Sequence, residues 1–294
     1  MKHPFRLYLS KGVFFMSKRA RTSKIEKWIK ESRGTGIGSE YKPWLNIQDV
    51  SSKGRSTRLR GIKTNRQHEF LSDLERNYFY LTEYSDFVVD IREQFPLLPL
   101  EETIIIADEL GIKHPTDPKT HEPIVMTTDF LLTVDKGEGL LELARTIKMK
   151  DELLKERVIE KFEIERVYWE RRQIDWGIVT ELEIPKEMAR NISYIHDYYS
   201  LEHYDAFQSL SEQYIEDLSM ALLQRLLTNG ESVRAIASEF DKDTHMPLGS
   251  GMTLFYHLLA MKIIRIDMLE PLNVEQPLVI QSVDESKLKK VKYG

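Results

Sequence analysis

Between Met126 and Lys150 the sequence reads MTTDFLLTVDKGEGLLELARTIKMK, two strand-like runs joined by GEG, and this hairpin leaves few folds open. Gly137 and Gly139 tolerate positive φ, the backbone state that a tight turn between antiparallel strands requires. The runs, 125–135 and 140–148, carry Asp129 near the start of the first and Lys148 at the end of the second. Closing the hairpin therefore brings a carboxylate and an ammonium group together. Two ionisable groups at the end of a buried hairpin cost several kcal/mol unless something compensates them, so the pair needs a reason.

The flanking sequence says what the hairpin packs against. Residues 66–82, RQHEFLSDLERNYFYLT, place Phe70, Leu71, Leu74, Tyr78 and Leu81 at helical spacing, with Glu75 beside that stripe. DFVVDIREQFPLL is a strand ended by Pro96 and Pro99, and a polar insertion over roughly 101–123 leads into the hairpin. DELLKERVIEKFEIERVYWERRQ predicts one long amphipathic helix with Val158, Phe162 and Trp169 on a common face. DWGIVTE adds a strand, and IPKEMARNISYIHDYY begins a helix at a favourable proline. The order helix, three strands, helix, strand makes a mixed α/β core. Further on, SEQYIEDLSMALLQRLLTNG, SVRAIASEF and MTLFYHLLAMK predict three helices before the strand-like IIRIDML, the outline of a winged helix.

Charge is unevenly spread along the 294 residues. Residues 1–66 hold 17 Lys and Arg against 4 Asp and Glu, leaving 25 against 43 for the rest of a chain whose net charge is -5. A basic arm on an acidic body is one footprint of a nucleic-acid partner; a solvated charged tail is the plainer reading. SRGTGIGSEYKPW and SSKGRSTRLRGIKTNR interleave their cations with glycine, hydroxyl and aromatic residues, which suits contact with phosphates. Arg33, Lys42, Lys53, Arg55, Arg58, Arg60, Lys63 and Arg66 are the candidate DNA contacts. GTGIG is no nucleotide-binding fingerprint, since no strand precedes it and the spacing is wrong. The helix 250–261 of the winged-helix outline is mostly apolar, with only Lys262 and Arg265 just beyond, which favours a protein-docking role over groove reading.

Several classes are excluded. There is no cysteine, so thiolate chemistry and disulfides are out and a reducing compartment fits. No apolar run is long enough to span a bilayer. In the opening MKHPFRLYLSKGVFFM, Arg6 and Lys11 interrupt the apolar stretch, so it reads as a disordered extension with Met16 as an alternative start. The histidines share no paired ligand spacing for zinc; His114 and His121 flank the insertion before Asp129 and could approach it.

Glu75 and Asp129 are hard oxygen donors, and Mg²⁺ prefers a few carboxylates completed by waters and phosphate oxygens. Lys148 would repel that cation, so its natural partner is a scissile phosphate or an attacking water. The trio reads as a phosphodiesterase site. Singly, each has a duller account: Glu75 facing solvent, Asp129 capping a turn, Lys148 ending an edge strand.

The stretches SRGTGIGSEYKPWL, FLSDLE, DIREQFPLLP, GIKHP, MTTDF and EKFEIERVYW resemble the TnsA family, endonuclease subunits of heteromeric cut-and-paste transposases, from about Met16 to at least Trp176. The resemblance implies a restriction-endonuclease-like core, with the family's acidic pair on Glu75 and Asp129 and its catalytic lysine on Lys148. It further implies that the carbonyl of Ile147 ligates the metal, Mg²⁺ with Mn²⁺ as a substitute. Thr146 stands where many nucleases of this fold carry an acid and the best-known members a glutamine; its hydroxyl could act only through a water. The implied partners are double-stranded DNA at transposon ends, a TnsB-like DDE transposase cutting the other strand, and a TnsC-like ATPase docked on the C-terminal domain, all in a prokaryotic cytoplasm. The expected layout is a basic extension over 1–23, a catalytic domain over 24–184, a connecting helix over 185–210 and a winged-helix-like domain over 211–294. Two other readings stay open: a non-catalytic DNA-binding regulator, which Thr146 favours, and a restriction or repair nuclease working alone.

Overall fold

The computed structural model describes residues 24–50 and 55–290; the expected disordered extension over 1–23 and the candidate contact Lys53 lie outside the described residues. After a short helix α1 (Lys24–Lys30) comes an antiparallel hairpin, β1 (Thr57–Arg60) and β2 (Gln67–Phe70). Helix α2 (Asp73–Tyr84), strand β3 (Val88–Pro96), helix α3 (Leu100–Glu109), strands β4 (Thr127–Asp135) and β5 (Leu140–Ile147), helix α4 (Glu156–Glu170) and strand β6 (Asp175–Val179) follow. The sheet runs β3-β4-β5-β6, antiparallel until the last pair, which is parallel.

The middle of β4, Phe130 to Leu132, is apolar because both faces of the sheet are covered there. On one face Phe130 and Leu132 join Phe70, Phe79, Ile192 and Ile195 in a core shared with α2 and α5 (Lys186–Ile195). On the other, Leu131 and Ala144 meet Ile106 of α3 and Ile164, Tyr168 and Trp169 of α4.

Three sequence expectations change. The helix expected over 66–82 begins only at Asp73, because Ser72 caps it and the residues before it pair as β2; Phe70 is a buried strand residue. The polar insertion contains α3, whose buried Thr103, Ile106 and Ala107 have helical spacing that its acidic residues obscure. The helix expected over 151–173 is α4 alone, preceded by a 3₁₀ turn (Lys150–Leu154), and its buried stripe is Ile164, Glu165, Tyr168 and Trp169, with Val158 and Phe162 only half-buried.

Beyond α5 come the short α6 (Asp205–Gln208), then α7 (Glu212–Thr228), α8 (Val233–Asp243) and α9 (Ser250–Ala260), closed by an antiparallel ribbon of β7 (Ile264–Arg265) and β8 (Ser282–Val283). α8 and α9 meet closely: a Cβ on Gly251 would stand 2.7 Å from the Ala237 carbonyl oxygen. Asp241 fixes the corner by accepting the N–H groups of Gly249 and Gly251. The segment 250–261, read from its sequence as a recognition or docking helix, is core: Leu254, Phe255, Leu258 and Leu259 are fully buried, and Lys262 and Arg265 pair with Asp86. Among the described residues no helix is long and apolar enough to cross a membrane.

Candidate active site

The site is assembled at one end of the sheet. In SDLE, the N-cap Ser72 accepts the Glu75 N–H at 3.2 Å and its hydroxyl donates back to Glu75 Oε1 at 2.7 Å, which turns the carboxylate toward the helix start. The Leu71 N–H donates to Oε2 at 3.1 Å, so both oxygens are held and Glu75 is buried. Asp129, half-buried on β4, accepts the Gln94 side-chain amide on Oδ1 at 3.2 Å and the Ile147 N–H on Oδ2 at 2.7 Å. Lys148 follows the last residue of β5, and its N–H donates to the Val179 carbonyl at 3.0 Å.

These three groups feel one another. Burial pushes the Glu75 carboxyl above the usual carboxylate range and the Asp129 charge adds to it, against the bonds from Ser72 and Leu71 and the Lys148 charge. Burial likewise raises Asp129, opposed by Ile147, Lys148 and Gln94. Lys148 forms no ion pair among the described residues, although its charge acts on both carboxylates.

A third carboxylate escaped sequence reasoning. Glu165 on α4 is buried; its Oε1 accepts the hydroxyls of Thr128, at 2.6 Å, and Thr146, while Trp169 Nε1–H donates to the Thr128 hydroxyl at 2.7 Å. Burial pushes its carboxyl up to about 7 against those hydroxyl bonds, with the Asp129 charge adding to the rise. The signal was legible: Glu165 lies three residues after Phe162 and four before Trp169, a carboxylate inside an apolar stripe. Thr146 also accepts from Trp176 Nε1–H at 3.3 Å, so its hydroxyl is engaged with α4 and β6. His114 is held by Thr103 and the Pro115 carbonyl, and His121 is exposed.

The donor set suits a hard divalent cation: two carboxylates that feel each other's charge, each made less acidic first of all by burial. Among the described residues no three His, Asp or Glu side chains form a ready-made cage, so an ion here would complete its shell with water, backbone or substrate oxygens.

The candidate DNA contacts divide in two. Lys42, Arg55, Arg58 and Arg60 are exposed; Arg58 pairs with Glu69 at 2.7 Å and Arg60 donates to Asn65 at 2.6 Å, bonds a phosphate could replace. Three others are turned inward, which corrects their reading as DNA contacts. Arg33 donates to the Trp44 carbonyl and Asp49 over the Trp28 ring, and Lys63 donates to the carbonyls of Ser85 and Val88. Arg66 is buried against Glu93, which also bonds His68 at 2.8 Å.

A family model described as TnsA-like endonuclease N terminal matches residues 85–181, and one described as TnsA endonuclease C terminal matches residues 183–268. Asp129 and Lys148 lie inside the first match and Glu75 precedes it. The chain is 46% identical over 173 residues to the transposon Tn7 transposition protein TnsA of Escherichia coli, a match covering 58% of this chain and 62% of that relative.

Proposed function

Because the chain belongs to the TnsA-like endonuclease family, we propose that it is a metal-dependent DNA endonuclease that cuts the 5′ strand at transposon ends, beside a TnsB-like DDE transposase and a TnsC-like ATPase. The observation that carries the chemistry is the convergence of Glu75 and Asp129, each held by two donors and each made less acidic than usual by burial, with Lys148, which makes no ion pair among the described residues. Glu75 and Asp129 would hold Mg²⁺, or Mn²⁺ in its place, with the Ile147 carbonyl as a further ligand and Thr146 at most through a water. Such an ion, once bound, neutralises phosphate charge and acidifies a water.

The protein groups do the rest. Ser72, the Leu71 N–H, Gln94 and the Ile147 N–H fix the two carboxylates before substrate arrives, which lowers the cost of organising the site. Lys148 holds the scissile phosphate or orients the attacking water with its ammonium group. Glu165 anchors β4 and β5 to α4 through Thr128 and Thr146, keeping the two strand ends that carry Asp129 and Lys148 in step. Arg55, Arg58 and Arg60 contact the DNA backbone from the β1–β2 hairpin, and Lys42 adds a further phosphate contact. The C-terminal helices and ribbon form a winged-helix-like domain, and with α9 buried the ATPase docks on the remaining outer surface of that domain. The protein acts at the nucleoid, in the cytoplasm.

Strand-specific nicking of a plasmid carrying transposon ends, with the assembled transposition proteins and Mg²⁺, tests this reading. Asp129→Ala and Lys148→Ala are each expected to lower 5′-strand nicking by at least about a hundredfold while cutting of the other strand continues. Undiminished 5′ nicking by either variant overturns the assignment.

A further inference from the structure

We infer that Gln94 is a positioning residue for Asp129, its side-chain amide clamping the carboxylate in the orientation a divalent ion meets. This rests on the reading of Glu75 and Asp129 as ligands. Gln94 stands across from Asp129 in the ladder, between the pairs Glu93↔Phe130 and Phe95↔Thr128. Its backbone is in the left-handed region, φ 48°, in the middle of a strand, where a residue with a Cβ persists only if its surroundings over-determine it. They do: its carbonyl accepts the Trp44 N–H at 3.2 Å, and neighbouring Glu93 is bonded to Arg66 and His68.

The side chain is buried, and its direction is set by a second contact. The Thr127 hydroxyl donates to Gln94 Oε1 at 3.1 Å, which leaves the amide nitrogen to face Asp129 Oδ1 at 3.2 Å. With the Ile147 N–H on Oδ2, each oxygen of Asp129 is held by one donor and keeps a lone pair for an ion. A neutral amide suits this place because it orients the carboxylate without bringing a charge that would compete with the cation. Arginine or lysine in its position would form an ion pair with Asp129 instead.

The test is Mn²⁺ titration of the purified full chain by calorimetry, comparing the unaltered protein with Gln94→Met, Thr127→Val and Asp129→Ala, with thermal unfolding followed alongside. Gln94→Met keeps the length of the side chain and removes the donor; it is expected to weaken Mn²⁺ binding by about tenfold or more, the usual effect of losing a group that orients a ligand. Thr127→Val frees the amide to turn and is expected to weaken binding less. The Mg²⁺ concentration for half-maximal 5′ nicking should rise in step, with the rate recovering at saturating Mg²⁺. Unchanged Mn²⁺ affinity in Gln94→Met, where Asp129→Ala abolishes binding, overturns the inference. Should Gln94→Met fail to fold, unchanged affinity in Thr127→Val overturns it. No saturable binding by the unaltered chain, or binding that Asp129→Ala leaves intact, instead defeats the metal-site reading on which the inference stands.

Discussion

At the scale of single residues, the least expected feature is the charge buried under the β1–β2 hairpin. Glu93 is 1% exposed and bonded to Arg66 and His68, so it can be neither lost nor protonated cheaply. Burial alone would raise its carboxyl, but His68 and the Arg66 bonds outweigh burial and bring it down to about 2. A depressed folded-state value means the unfolded chain binds the proton first as acid is added. The contribution is therefore complete above the unfolded value near 4.5 and disappears as pH falls toward about 2. It is worth on the order of 3 kcal/mol at neutral pH. Urea unfolding from pH 7 to pH 2.5 should show stability falling below about pH 4.5, and Glu93→Gln should be less stable at pH 7 but flatter over that acid range. An equally steep acid limb in Glu93→Gln would assign the loss to other carboxylates.

At the scale of elements, what could be read in advance depended on whether the signal was local. The hairpin 125–148 was legible because glycine and apolar alternation are properties of neighbouring residues. Partnership across the fold was not. Arg66 and Arg58 look alike in SSKGRSTRLRGIKTNR, yet one is buried on Glu93 and the other is exposed, a difference made by the register of β1 on β2 and by a strand more than twenty residues away. Gln94 was invisible for the same reason, since only the register puts it opposite Asp129. Glu75, by contrast, was placed by its own helix start, although α2 begins later than its apolar spacing suggests. The two arginine classes make separable predictions. Arg58→Ala and Arg60→Ala should weaken DNA binding and reduce its salt dependence by about one counterion each, with the unfolding midpoint unchanged. Arg66→Ala should instead destabilise the fold by about 3 kcal/mol or more, because Glu93 is left buried without its cation. Equal stability of Arg66→Ala and Arg58→Ala in urea would contradict this division.

At the scale of the whole molecule, the two family matches meet near residue 182, but the apolar core does not divide there. One cluster runs from Phe70 and Phe79 through Ile192 and Ile195 of α5 to Leu254, Phe255 and Leu258 of α9. The polar contacts follow the same path: Asp86, just after α2, takes Lys262 and Arg265 from beyond α9, and Asn191 of α5 donates to the carbonyls of Met268 and Glu270. A half that ended at the match boundary would expose this cluster, and burial of apolar area is the main favourable term in folding. Calorimetry of the full chain should therefore give one cooperative transition, its calorimetric and van't Hoff enthalpies equal. Ile195→Ala, at the joint, should lower that single midpoint by creating a cavity costing about 2–5 kcal/mol. Two resolved transitions, with only one moved by Ile195→Ala, would mean that the halves fold independently and that the shared core contributes little to holding the C-terminal half against the central sheet.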